Sequence, residues 1–86
     1  MVKILFVCHG NICRSPMAEF VMKDMVKKEG LEKYFEIASA ATSTEELGNP
    51  VHHGTRRKLS QVGISCAGKT ARQMNRRDYE HYDIII

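Results

Sequence analysis

The sequence predicts an α/β fold: a parallel sheet with flanking helices. Short apolar runs stand at Lys3–Val7, Phe35–Ala41 and Ile84–Ile86. Segments with apolar residues at helical spacing separate them. The resulting order, β-α-β-α-α-β, is that of helices crossing between parallel strands. A chain of 86 residues has room for one small core. No repeat, low-complexity stretch or linker divides it, so residues 1–86 read as a single domain.

The first strand, Lys3–Val7 (KILFV), is nearly continuous in apolar residues, as expected for a strand buried on both faces. Met17, Phe20, Val21, Met25 and Val26 then recur at helical spacing. Ser15 is placed to N-cap this helix, with Pro16 at its first position and Glu19 at the capping-box offset; Gly30 ends it. Phe35–Ala41 is the second strand. Thr42–Pro50 is a loop punctuated by Gly48-Asn49-Pro50. His52–Val62 predicts a second helix with Leu59 and Val62 facing inward and Gly63 as its stop. Ile64–Met74 has no clean period. Asn75 is a candidate N-cap for a short helix to Tyr82, with Asp78 in its first turn and Tyr79 and Tyr82 expected to pack. Ile84–Ile86 reads as a buried third strand, and its apolar edge predicts self-association through that strand.

Composition narrows the function classes. Hydrophobic residues make up 43% and charged residues 27%, ordinary for a globular protein. A net charge of +3 is mildly basic, and nucleic-acid binding calls for a denser basic stripe. The same charge fits a local anion site. The Val2–Val7 run is interrupted by Lys3 and is too short for a signal peptide, and no segment approaches a membrane span. Three cysteines without a secretory context read as reduced thiols, which predicts a cytoplasmic protein. Cys8, Cys13 and His9 do not match the common zinc-ligand spacings, so neither metal nor cofactor is expected.

The chemistry sits in Val7–Pro16 (VCHGNICRSP), where a strand enters a tight loop that enters a helix N-terminus. Backbone N–H groups and the helix dipole make such a loop an anion nest. Gly10 is expected to take backbone angles that other residues resist, and Asn11 tolerates the left-handed region and can brace the loop from inside. Arg14 supplies a planar fork matched to two phosphate oxygens. Cys8 lies at the floor of the nest, where the positive surroundings lower a thiol pKa. Ser15 is placed to donate to that thiolate. A thiolate beneath a bound phosphate is a nucleophile aimed at phosphorus, with the phosphate held by the loop from His9 through Gly10, Asn11, Ile12 and Cys13 to Arg14.

The string Cys8-His-Gly-Asn-Ile-Cys-Arg-Ser-Pro-Met-Ala-Glu19 resembles the phosphate-binding loop of the low molecular weight protein tyrosine phosphatases. The resemblance continues in Ser39-Ala-Ala-Thr-Ser43, Gly48-Asn49-Pro50, Ala71-Arg72-Gln73 and Tyr82-Asp83. It implies the doubly wound fold of that family, truncated after the third strand, and hydrolysis of phosphotyrosine protein or a small aryl phosphate through a phosphocysteine on Cys8. By the same resemblance Arg14 clamps phosphate or another oxyanion, and Asn11 and Ser15 organise the loop. Cys13 matches the cysteine that traps an oxidised nucleophile as a disulfide. The family's general-acid aspartate, fourth strand and last helix have no counterpart among these residues, which implies impaired turnover or a non-catalytic phosphate-binding fragment. Lys69 stands where several relatives have a histidine behind the loop asparagine, and Glu45 where many have a rim aromatic. Arsenate reductases of this fold need a further cysteine pair, and only Cys66 lies beyond the loop. Arginine phosphatases of this fold carry threonine at the place of Ile12, an apolar wall suited to a flat phenol.

Overall fold

The computed structural model describes residues 1–86. Strand β1 (Val2–Cys8) leads through a loop to helix α1 (Arg14–Lys28), and a 3-10 turn at Glu32–Tyr34 leads to strand β2 (Phe35–Ala41). Helices α2 (His53–Gln61) and α3 (Arg76–His81) follow, then the short strand β3 (Ile84–Ile85). The predicted element order stands.

All strand pairs are parallel, in the order β2-β1-β3. β1 is therefore central. Its register runs from Val2 opposite Phe35 to Cys8 opposite Ala41, so both strands end level. The chain crosses to one side of β1 for β2 and to the other for β3. The carboxyl end of β1 is thus the switch point where open α/β sheets bind ligands, and Cys8 is the residue there.

Ile4, Leu5, Ile37, Ala40 and Ala41 are buried in the sheet. Helix α1 lies across β1 and β2, and α2 packs on α1. Between them Val51, Leu59 and Cys66 form a second cluster, backed by Met17, Phe20 and Ile64. Cys66 is thus a core thiol.

Several expectations are corrected. α1 begins one residue before Ser15: Cys13 is its N-cap and no side chain caps it. Ser15 and Glu19 are diverted from capping to buried partners described below. Val21 and Met25 are exposed, because α1 covers the sheet with a narrower stripe than the spacing suggested. Val62 is 64% exposed, and Ile64, beyond the left-handed turn at Gly63, takes its place against the core. Tyr79 is exposed rather than packed. Ile84 and Ile85 pair with Ile4 and Leu5 of β1 but stay 44% and 37% exposed, so β3 is not a buried strand.

The segment without a clear period is an extended brace. Ala41 N–H donates to Arg72 O at 2.7 Å and Met74 N–H to Ala41 O at 2.7 Å, continuing the end of β2. Asn75 caps α3 in a complete capping box with Asp78. The buried Asp78 carboxylate also accepts two 3.1 Å bonds from the Arg72 guanidinium, which locks the brace to α3.

Candidate active site

The loop His9–Cys13 links the end of β1 to the start of α1, and Asn11 is its internal strut. It is the one non-glycine residue with positive φ, 58°, and it is completely buried. Its Oδ1 accepts from Arg72 N–H at 3.2 Å. That donor fixes the amide's orientation, so Nδ2 donates to Ser15 Oγ and Ser39 Oγ, each at 2.9 Å. The strain of the left-handed backbone is offset by three hydrogen bonds that no longer or branched side chain reproduces. Gly10 needs no unusual φ. It is glycine for space, because a Cβ there meets Glu46 Cγ at 3.3 Å.

These bonds set a proton direction. Ser15 Oγ accepts from Asn11, so its one hydrogen is free for Cys8 Sγ, 3.0 Å away. Burial pushes the Cys8 thiol up; the Ser15 hydroxyl and the backbone N–H groups of Ser15, Asn11 and Gly10 outweigh it, and the thiol sits below its ordinary value.

Behind the strut lies a buried chain. Ser39 Oγ donates to Glu19 Oε1 at 2.5 Å, and the Glu19 carboxylate, 4% exposed, also meets Lys23 at 2.6 Å and Lys69 at 3.6 Å. Lys69 Nζ donates to Ser39 O at 3.0 Å. Burial pulls the Lys69 ammonium down against the attraction of Glu19. No buried side-chain nitrogen or oxygen lacks a hydrogen-bond partner, so the loop is rigidly held.

The remaining loop residues are exposed or half-buried. His9 Nε2 lies 2.9 Å from Glu45 Oε2. Ile12 is half-buried, and its carbonyl accepts from His52 N–H at 2.7 Å. The exposed Cys13 accepts from Thr55 Oγ1 at 3.2 Å. Arg14 is exposed and takes part in none of the chain's ion pairs. All eight residues from Cys8 to Ser15 are thus in one cradle, with a depressed thiol at its floor and a free guanidinium at its edge. Such a cradle can hold a tetrahedral oxyanion and direct a sulfur nucleophile at its centre. Two clefts beside α1 and α2 include none of these residues.

Glu19, Ser39 and Thr55 escaped the sequence reading as loop partners. A visible signal existed for Ser39, a lone hydroxyl inside a buried apolar strand. Thr55 gave none, because its partner is 42 residues away.

Comparison with known proteins settles the family. The family model described as low molecular weight phosphotyrosine protein phosphatase matches residues 3–86. The chain belongs to this family. It is similar to the low molecular weight protein-tyrosine-phosphatase YfkJ of Bacillus subtilis, 46% identical over 86 residues, which cover 100% of this chain and 55% of YfkJ. It is also similar to the low molecular weight phosphotyrosine protein phosphatase of Gallus gallus, 43% identical over 83 residues, 96% of this chain and 52% of that one. The crystal structure of YfkJ matches with a TM-score of 0.96, covering 99% of this chain and 54% of that structure. The chain spans about half the length of these low molecular weight phosphatase relatives. No helix is long and apolar enough to cross a membrane.

Proposed function

We propose that this chain carries the nucleophile and phosphate cradle of a protein tyrosine phosphatase. The observation that supports this best is the Cys8–Ser15–Asn11 arrangement: a depressed thiol, hydrogen-bonded at 3.0 Å, inside a loop of inward N–H donors. In this reading the Cys8 thiolate attacks phosphorus of a phosphotyrosyl group. The S–P bond forms as the P–O bond to the phenol breaks, and water then cleaves the phosphocysteine to release inorganic phosphate. The loop N–H groups and Arg14 hold the equatorial oxygens, and Ser15 stabilises the sulfur as nucleophile and as leaving group. The proton for the phenol comes from a general acid that the resemblance places in the part of the relatives this chain does not span. General acid catalysis contributes about 10²–10⁴-fold, so phenols of high pKa leave slowly here and activated aryl phosphates fastest.

Ile12 at the cradle wall favours a flat phenol over a guanidine. Cys66, buried in the core, is no candidate for an electron-passing pair, which disfavours arsenate reduction. Three unpaired thiols fit a reducing, cytoplasmic setting. The second reading is phosphate binding without turnover, which needs only the cradle and the exposed Arg14. Hydrolysis of para-nitrophenyl phosphate by this chain, beside its Cys8→Ser variant, separates them. Turnover lost in the variant supports the phosphatase; no turnover in either, with phosphate still bound, supports the binding module; retained turnover in the variant overturns Cys8.

A further inference from the structure

We propose that Glu45, with Glu46 beside it, makes the mouth of this site select phosphotyrosine flanked by basic residues. The inference rests on the phosphate-site reading above and names the substrate class within it.

The wall of the cradle on the His9–Gly10 side is the segment after β2. Ser43 fixes it there, its N–H and its Oγ donating to His9 O at 3.1 and 3.0 Å. Glu45 is thereby brought to 2.9 Å from the His9 ring, with both side chains largely exposed at 62% and 71%. Glu46 packs on Gly10, and its carboxylate is steadied by Asn49 Nδ2 at 2.6 Å. Two carboxylates thus stand at the lip, and the imidazole of His9 is their one basic contact. An exposed pair of this kind adds little to stability, so these charges act on what approaches. The phosphate is received by Arg14 and the loop N–H groups inside. The residues flanking it pass the lip, where a cation is attracted and a carboxylate repelled. On the other side, Arg56 lines a separate cleft with Ser60 and Cys66, not the loop.

The test uses the 86-residue chain carrying Cys8→Ser, so nothing turns over, and measures binding of two phosphotyrosyl peptides by fluorescence anisotropy. One has lysine on both sides of the phosphotyrosine and the other glutamate. Unit charges about 6 Å apart in a solvent-exposed setting give roughly a three- to tenfold preference for the lysine peptide at low salt, shrinking at high salt. Glu45→Gln reduces the preference and Glu45→Lys inverts it, each read as the ratio of the two peptides' affinities so that a common change in phosphate binding cancels. Equal affinities, a preference for the glutamate peptide, or a preference unmoved by Glu45→Lys overturns the proposal while the phosphate site stands. Peptides that inorganic phosphate fails to displace overturn the underlying site reading, and the proposal with it.

Discussion

Ser15→Ala isolates the side-chain hydrogen bond that helps hold the Cys8 thiol below its ordinary value. In the native chain the Ser15 hydroxyl is pinned from one side by Asn11 and donates to the sulfur at 3.0 Å. A hydrogen bond to a charged group is worth about 1.5–3 kcal/mol, and one pKa unit corresponds to about 1.36 kcal/mol. Removing the hydroxyl therefore raises the Cys8 pKa by about one to two units. Burial, which already pushes the thiol up, is then opposed only by the backbone N–H groups of Ser15, Asn11 and Gly10. The assay is the rate of iodoacetamide alkylation of the half-buried Cys8 against pH, in a Cys13→Ala background that removes the exposed thiol, Cys66 being buried. It needs no turnover and is independent of any general acid. The expected result is a midpoint moved upward by that amount with the far-UV circular dichroism intact. A midpoint that moves by less than about 0.3 unit in a folded variant refutes the reasoning and leaves the backbone donors as the whole cause.

Arg14→Lys replaces a bidentate fork with a point charge and should weaken binding of inorganic phosphate about 10- to 100-fold by calorimetry; near-native affinity would remove Arg14 from the clamp. Asp78→Asn should cost about 1–2 kcal/mol in urea unfolding, since it weakens a half-buried pair with Arg72 and half of a capping box. Burial pushes the Asp78 carboxyl up, but Arg72 and the Asn75 N–H hold it below its ordinary value. That contribution is present above the unfolded carboxyl range and is lost as pH falls through the folded value, so the native chain should lose stability below about pH 4 and the variant should lose less over the same range. Peroxide should convert the Cys8 thiolate to a sulfenic acid, which the Cys13 thiol attacks to form an S–S bond with release of water; peptide mapping that finds no Cys8–Cys13 disulfide removes the redox role of Cys13. The exposed apolar edge of Ile84–Ile85 should drive self-association. Sedimentation should then show a concentration-dependent dimer that Ile85→Lys abolishes, and a monomer at all concentrations refutes it.

The sequence was most legible where chemistry and geometry are local. The strand before Cys8, the loop, the helix after it and the Asn75 cap each declare themselves within a dozen residues, because a strand, a nest and a cap are short-range objects. It was least legible where a residue has two plausible partners. Ser15 and Glu19 satisfy the capping-box spacing, yet in the fold Ser15 turns to Cys8 and Glu19 to Ser39, 20 residues on. The capping role lost because both side chains find buried partners inside the fold, away from the N–H groups at the start of α1. The failed inward assignments have another cause. Val21, Met25 and Val62 sit at correct helical spacing, but spacing gives a face and not what lies opposite it.

That diversion of Glu19 also explains why the cradle is stiff. A carboxylate in α1, 4% exposed, is costly unless paired. Here it is held by Lys23 from its own helix and Lys69 from the loop before the brace, and it fixes the hydroxyl of Ser39 in β2. With Ser39 donating to Glu19, its oxygen can only accept from Asn11, which then presents its second N–H to Ser15, whose single hydrogen is left for Cys8. Each donor leaves the next group one remaining choice. The buried ion cluster therefore agrees with the polarity that the Arg72 N–H imposes through Asn11 Oδ1, and both ends of the hydrogen-bonded chain leave the last hydrogen for the sulfur.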